Sequence, residues 1–336
     1  MSSRTLAALV LAVTLVGCGD RERSHDQAPE PLAPSGVETN GGPLAARPPP
    51  PPHHDPWAKP AEPSLADTVC PKVLAPYFYR IEKDGKVSHM LGTRHIGVAL
   101  YKMPPVVVER LKASTVFVSE VGPEDRQNGP NIPARVIPLS EQLGPELWKR
   151  YRELGGDALA DDVVREKPST ALLRLMVKYE DLASALDNEL EQLAREQGLK
   201  LTGLETSMFQ DRLINRWLDL RMLRAYLAHT ESLDEIRTDT GEDVGNYCKG
   251  VDDQPGIDGK QRADMLDSGY TEAELAKLDQ ELLFDRNRDW IPKLAPILAA
   301  GGAFIAVGAD HLRGEQGVPS LLRAEGYKVE RVTPPN

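Results

Sequence analysis

Two short stretches constrain this chain more than any other: Ser88-His-Met-Leu-Gly-Thr-Arg-His-Ile-Gly97 and Phe304-Ile-Ala-Val-Gly-Ala-Asp-His-Leu-Arg-Gly314. Each is an apolar run, then Gly-x-x-His, then an aliphatic residue and soon a glycine. The run fits a buried strand, and the glycine lets the backbone turn sharply at its end. His95 and His311 therefore fall just past the carboxyl ends of strands, where open α/β sheets hold ligands. Two such units more than two hundred residues apart suggest two halves of one domain, each contributing one histidine.

Other segments carry acids to similar places. Thr115-Val-Phe-Val-Ser-Glu-Val121 reads as a buried strand with Glu120 near its end, and Gly198-Leu-Lys-Leu-Thr-Gly-Leu-Glu-Thr206 as a short strand with Glu205 at its tip. A carboxylate there needs solvent or a partner. Tyr77 to Leu91 reads as a β-hairpin around Asp84-Gly85 that runs into Gly92 and His95. Between about residues 140 and 198 the pattern is helical, Met208 to Ala228 reads as one long helix, and Lys249 to Gln261 is a break. In the last helical block Arg286 and Trp290 are four residues apart on one face, beside Asn287. The chain then closes as strand, helix, strand.

Residues 1–18 read as a signal peptide. The apolar run Leu6 to Val16 is too short for a mature span, and it ends in Leu15-Val16-Gly17-Cys18, similar to a bacterial lipobox in which the cysteine is lipidated. Gly19, not an aspartate, follows Cys18, which by resemblance to known sorting rules favours an outer-membrane anchor facing the periplasm. Residues 19–63 are a disordered proline-rich tether, with five consecutive prolines at 48–52 followed by His53 and His54. Residues 64–336 are long enough for one domain with a substantial core.

Charge and cysteines narrow the function classes. With 51 acidic and 40 basic side chains the net charge is -11, which disfavours nucleic acid as a partner. With Cys18 assigned to lipid, Cys70 and Cys248 are left, and an oxidising compartment leads us to expect one disulfide between them. No CxxC arrangement supports a cysteine-based zinc site.

Taken in order, Gly92-Thr-Arg-His95, Val118-Ser-Glu120, Gly203-Leu-Glu205, Arg286-Asn287 and Gly308-Ala-Asp-His311, with the final Gly-Tyr-x-Val, resemble the TraB/GumN family, which includes PrgY and the TIKI proteins. The resemblance runs from about Tyr77 to Val332. It implies an α/β fold, a mixed sheet flanked by helices, with two internally duplicated halves as in the erythromycin-esterase (EreA) and ChaN-like group. The structural glycines are Gly92 and Gly308. The resemblance further implies hydrolysis of a peptide or another small carbonyl-containing substrate by one divalent metal, held by His95, His311 and an acid, Glu120 or Glu205. Manganese, cobalt, zinc and iron all suit such ligands. The second acid would act as base, Arg286 would stabilise an oxyanion, and Asn287 would orient substrate or a carboxylate. Arg94 and Asp310, variable positions in the motifs, would tune substrate preference. Other readings are a metal-independent hydrolase similar to the erythromycin esterases, and a non-catalytic protein that binds a peptide or haem.

Overall fold

The computed structural model describes residues 63–126, 137–251, 255–257 and 259–333. The signal peptide, Cys18 and nearly all of the tether lie outside these residues.

Six strands form one sheet in the order β4-β3-β5-β2-β1-β6. β1 (Phe78–Lys83) and β2 (Lys86–Thr93) are an antiparallel hairpin, and Asp84 and Gly85 both take positive φ at its turn. That is the conformation a two-residue hairpin demands, and Asp-Gly supplies it. β3 (Val116–Val121), β4 (Lys200–Glu205) and β5 (Ala303–Gly308) are parallel to β2, and β6 (Lys328–Arg331) lies antiparallel on the outer edge of β1. The four parallel strands are next to one another, so their carboxyl ends form one row. Along that row stand Glu205, Glu120, His311 and His95.

β5 is buried at every residue, as expected for the centre of a sheet covered on both faces. Leu91, Phe117, Phe304 and Ile305 pack with Leu186, Leu190, Trp290 and Leu294 from flanking helices into the sheet's core. A second core is formed mainly by helices, running from Leu139 and Tyr151 through Leu172 and Leu223 to Leu283. The closeness of β3 to β4 rests on Gly203, where a Cβ would stand 2.0 Å from the backbone nitrogen of Gly122.

Two expectations are corrected. The mixed sheet with flanking helices is present, but the described residues give no evidence of two duplicated halves. What the histidine motifs share is local, a parallel strand followed by a tight turn, and β5 simply inserts between β2 and β3. The single helix expected from Met208 to Ala228 is two, Ser207–Trp217 and Leu220–His229. Leu218 leaves helical dihedrals, and the Asp219 carboxylate accepts the Met222 N–H at 2.9 Å, capping a new helix. Apolar periodicity continues across the break and conceals it.

Cys70 and Cys248 are joined by a disulfide that ties the short helix Leu65–Val69 to the end of the helix Leu233–Lys249. The bond closes a sequence separation of 178 residues. Loop closure of that size stabilises chiefly by restricting the unfolded chain. Replacing both cysteines by serine is expected to lower unfolding free energy by about 2–5 kcal/mol, read from urea melts, with the secondary structure retained.

Candidate functional site

The sheet delivers its four side chains to one buried cluster. Glu120 is 5% exposed and His311 3%. The His95 and His311 Nε2 atoms stand 4.0 and 3.8 Å from the same carboxylate oxygen, Glu120 Oε1. Gly308 N–H donates to that oxygen at 2.7 Å. Glycine at 308 is a packing requirement, since a Cβ there would lie 3.0 Å from His95 Nε2 and 3.2 Å from Glu120 Oε1.

Arg286 holds the two acids. Its Nη2 donates to Glu120 Oε2 at 2.7 Å and to Glu205 Oε1 at 2.5 Å, while Nη1 donates to the carbonyl of Leu282 at 2.8 Å. Gln210 Nε2 bridges the same pair, donating to Glu120 Oε2 at 2.9 Å and Glu205 Oε1 at 2.5 Å. Trp290 Nε1–H completes Glu205 by donating to Oε2 at 3.1 Å. A π-helical turn, Gln280–Phe284, runs directly into the helix Asp285–Ala300 that carries Arg286, Asn287 and Trp290. Such turns are frequent where a helix must aim side chains at a site.

The histidines differ in what stands behind each ring. His95 Nδ1 contacts the carboxylate of Asp187. His311 Nδ1 lies 2.6 Å from Asn287 Oδ1, and Asn287 Nδ2–H donates to the Gln316 carbonyl at 2.8 Å. That second bond orients the amide with its oxygen toward His311, so His311 carries its proton on Nδ1 and keeps the Nε2 lone pair. Burial opposes charge on His95, yet the attraction and hydrogen bond of Asp187, with Glu120 adding, hold its pKa above the usual range. Burial, with Arg286 and His95 adding, depresses His311 well below it. Trp290 packs on the His311 ring at 4.3 Å between centroids.

His95, His311, Glu120, Glu205, Arg286 and Asn287 are thus brought together, while the disulfide cysteines lie elsewhere in the fold. Several assigned roles change. Arg286 does not face an open site as an oxyanion donor, because its guanidinium neutralises two buried carboxylates. Asn287, expected to orient substrate or a carboxylate, bonds to the His311 ring. Arg94 and Asp310 do not tune a binding surface, since Arg94 is buried against Glu180 and Asp243, and Asp310 against Arg313. Asp187 and Gln210 are additions the sequence did not announce. Asp187 opens a helix and reads as an N-terminal acid, and Gln210 sits one helical turn after Thr206 with no motif around it.

Among the described residues no group of three His, Cys, Asp or Glu side chains is placed to hold a metal. Both Glu205 oxygens and Glu120 Oε2 face Arg286, Gln210 or Trp290, and Glu120 Oε1 accepts from Gly308.

Arg286→Met should leave Glu120 and Glu205 buried without a counter-charge and destabilise the fold by about 3–5 kcal/mol. Urea unfolding of the variant beside wild type measures this.

No curated protein and no solved structure matches this sequence. The profile of the TraB/PrgY/gumN family matches residues 77–331, which takes in all six strands and every member of the cluster. The chain belongs to the TraB/PrgY/gumN family.

Proposed function

We propose that this protein hydrolyses an ester or amide bond in a peptide or another small carbonyl-containing substrate, using its own two histidines as the proton-transfer groups. The observation that carries the reading is the difference in anchoring: a carboxylate behind His95 and a neutral amide behind His311, with both Nε2 atoms directed at one oxygen. Environments that push paired titratable groups apart assign one as acid and the other as base.

In this reaction His311 Nε2 takes a proton from water, and Glu120 Oε1 accepts a hydrogen bond from the water's other proton. The hydroxide attacks the carbonyl carbon, and the π electrons move to its oxygen. Protonated His95 donates from Nε2 to that oxyanion, with Asp187 holding the ring and its charge. Collapse reforms the carbonyl and breaks the bond to the leaving group, which takes the proton from His311. Substrate approaches from the side of His95 and Asp187, whose side chains are 11% and 27% exposed against 4% for His311.

A second reading has its own support. Both Nε2 atoms face Glu120 Oε1, at 4.0 and 3.8 Å, and each ring is oriented through Nδ1 in the manner of metal-bound histidines, although as arranged these three are not placed to hold a metal. A cation held by His95, His311 and Glu120 would polarise a carbonyl and activate water. Elemental analysis of active protein separates the two: a stoichiometric metal whose removal abolishes turnover overturns the histidine-only mechanism.

Assayed on a panel of p-nitrophenyl esters and short peptides, His311→Gln should lower kcat about 10²–10⁴-fold with little change in KM. His311 must be neutral and His95 protonated, so kcat/KM should fall on the acid side as His311 gains a proton. It should fall on the alkaline side as His95 loses one. Asp187→Asn should move the alkaline limb to lower pH, and an unmoved limb would remove His95 from its role.

We further infer a lipid anchor at Cys18 in the bacterial cell envelope, on the periplasmic side of the outer membrane. The disulfide supports an oxidising compartment. Cys18→Ser should shift the protein from the membrane to the soluble fraction or leave the precursor unprocessed, as read by intact mass and membrane partition.

A further inference from the structure

Arg94 sits inside the first Gly-x-x-His motif, is 4% exposed, and has no part in the reaction described above. Its guanidinium is held on two sides. Nη2 donates to Glu180 Oε1 at 2.7 Å, and Nη1 to Asp243 on the helix Leu233–Lys249. The Glu180 side chain is fully buried. These are residues that chain statistics place at the surface, so burying them together requires a compensating task or a large structural return.

Glu180 belongs to the irregular segment 177–185, which leads into the helix Leu186–Glu196 and hence to Asp187. That segment has no strand or helix of its own to place it. The segment and the helix start it leads into are attached to the turn after β2 by three links: Arg94 to Glu180, Gly97 N–H to the Ser184 carbonyl at 2.8 Å, and His95 Nδ1 to Asp187. Gly97 has φ +86°, and a Cβ there would stand 2.5 Å from Glu180 Oε2, so glycine is what lets the carboxylate approach. Within the segment, Ser184 Oγ donates to the Asp181 carboxylate at 2.6 Å and keeps the turn compact. Two of the three links thus involve no reacting group, and they flank the one that does.

We propose that Arg94 is a positioning residue: through Glu180 it docks segment 177–185 on the β2 turn and so holds Asp187 against His95. A charge-assisted bond between two buried groups is short, directional and costly to break, which suits it to fixing a segment that lacks a hydrogen-bond ladder. The inference rests on the pairing of His95 with Asp187 used in the reaction above.

The test uses Glu180→Met, which cuts the link yet leaves Arg94 neutralised by Asp243. In full-length protein labelled with ¹⁵N-histidine, the strongly hydrogen-bonded Nδ1 proton of His95 is identified by its loss in Asp187→Ala, which removes the acceptor. The Nδ1 proton of His311, bonded to Asn287, reports that the fold is intact. Glu180→Met should broaden or abolish the His95 signal and retain that of His311. Its kcat/KM should fall to within about threefold of Asp187→Ala, and the double variant should be no worse than Asp187→Ala alone, because the two changes act through one contact. An unchanged His95 signal in the folded variant, or additive losses in the double variant, overturns the proposal. Should Glu180→Met lose both signals, Glu180→Gln decides by the same criterion, with partial weakening of the His95 signal expected and full retention overturning it. Protein without turnover would reject the hydrolase reading, while the histidine signals would still judge the positioning.

Discussion

One guanidinium between two buried carboxylates is the interaction on which the centre of this structure depends. Glu120 and Glu205 end neighbouring parallel strands, and both are shielded from water. Two desolvated acids side by side are unfavourable without a cation, and Arg286 supplies it with three contacts to Glu205 and one to Glu120. Because Arg286 lies on the helix Asp285–Ala300, the same bond fixes that helix over the strand ends. Asn287 and Trp290 then reach His311 as a consequence.

The two histidines are equivalent by motif and different by environment. Each follows a parallel strand and points its Nε2 at Glu120 Oε1. One ring is backed by a carboxylate and the other by an amide whose orientation is locked by the Gln316 carbonyl. A local sequence repeat therefore yields two groups with opposite tendencies to hold a proton. The fold alone could host many chemistries, and it is this asymmetry that argues for a particular one.

Much of the arrangement was legible in the sequence. Apolar runs ending in Gly-x-x-His marked β2 and β5, Asp84-Gly85 marked the hairpin, and the strand-end acids were visible as Glu120 and Glu205. All of these are patterns within ten residues, where strand period and glycine freedom act. The break at Leu218 was hidden because apolar spacing survives it. The expectation of two duplicated halves rests on likeness between two strand-and-turn units, and the described residues give no further evidence of it.

What the sequence determined by itself was which residues stand at the carboxyl ends of strands, since alternation of burial and turn chemistry are local properties. Only the tertiary structure decided what each of them does. Arg286 meets Glu120 from 166 positions away, Asp187 meets His95 from 92, and Arg94 meets Glu180 from 86. Partners so distant leave no spacing to read, and a charged side chain looks the same in the sequence whether it will face solvent, a substrate or a buried counter-ion. Burial makes the choice, because a desolvated charge must be matched where it lies, and the match is set by the packing of elements that only the folded chain brings together.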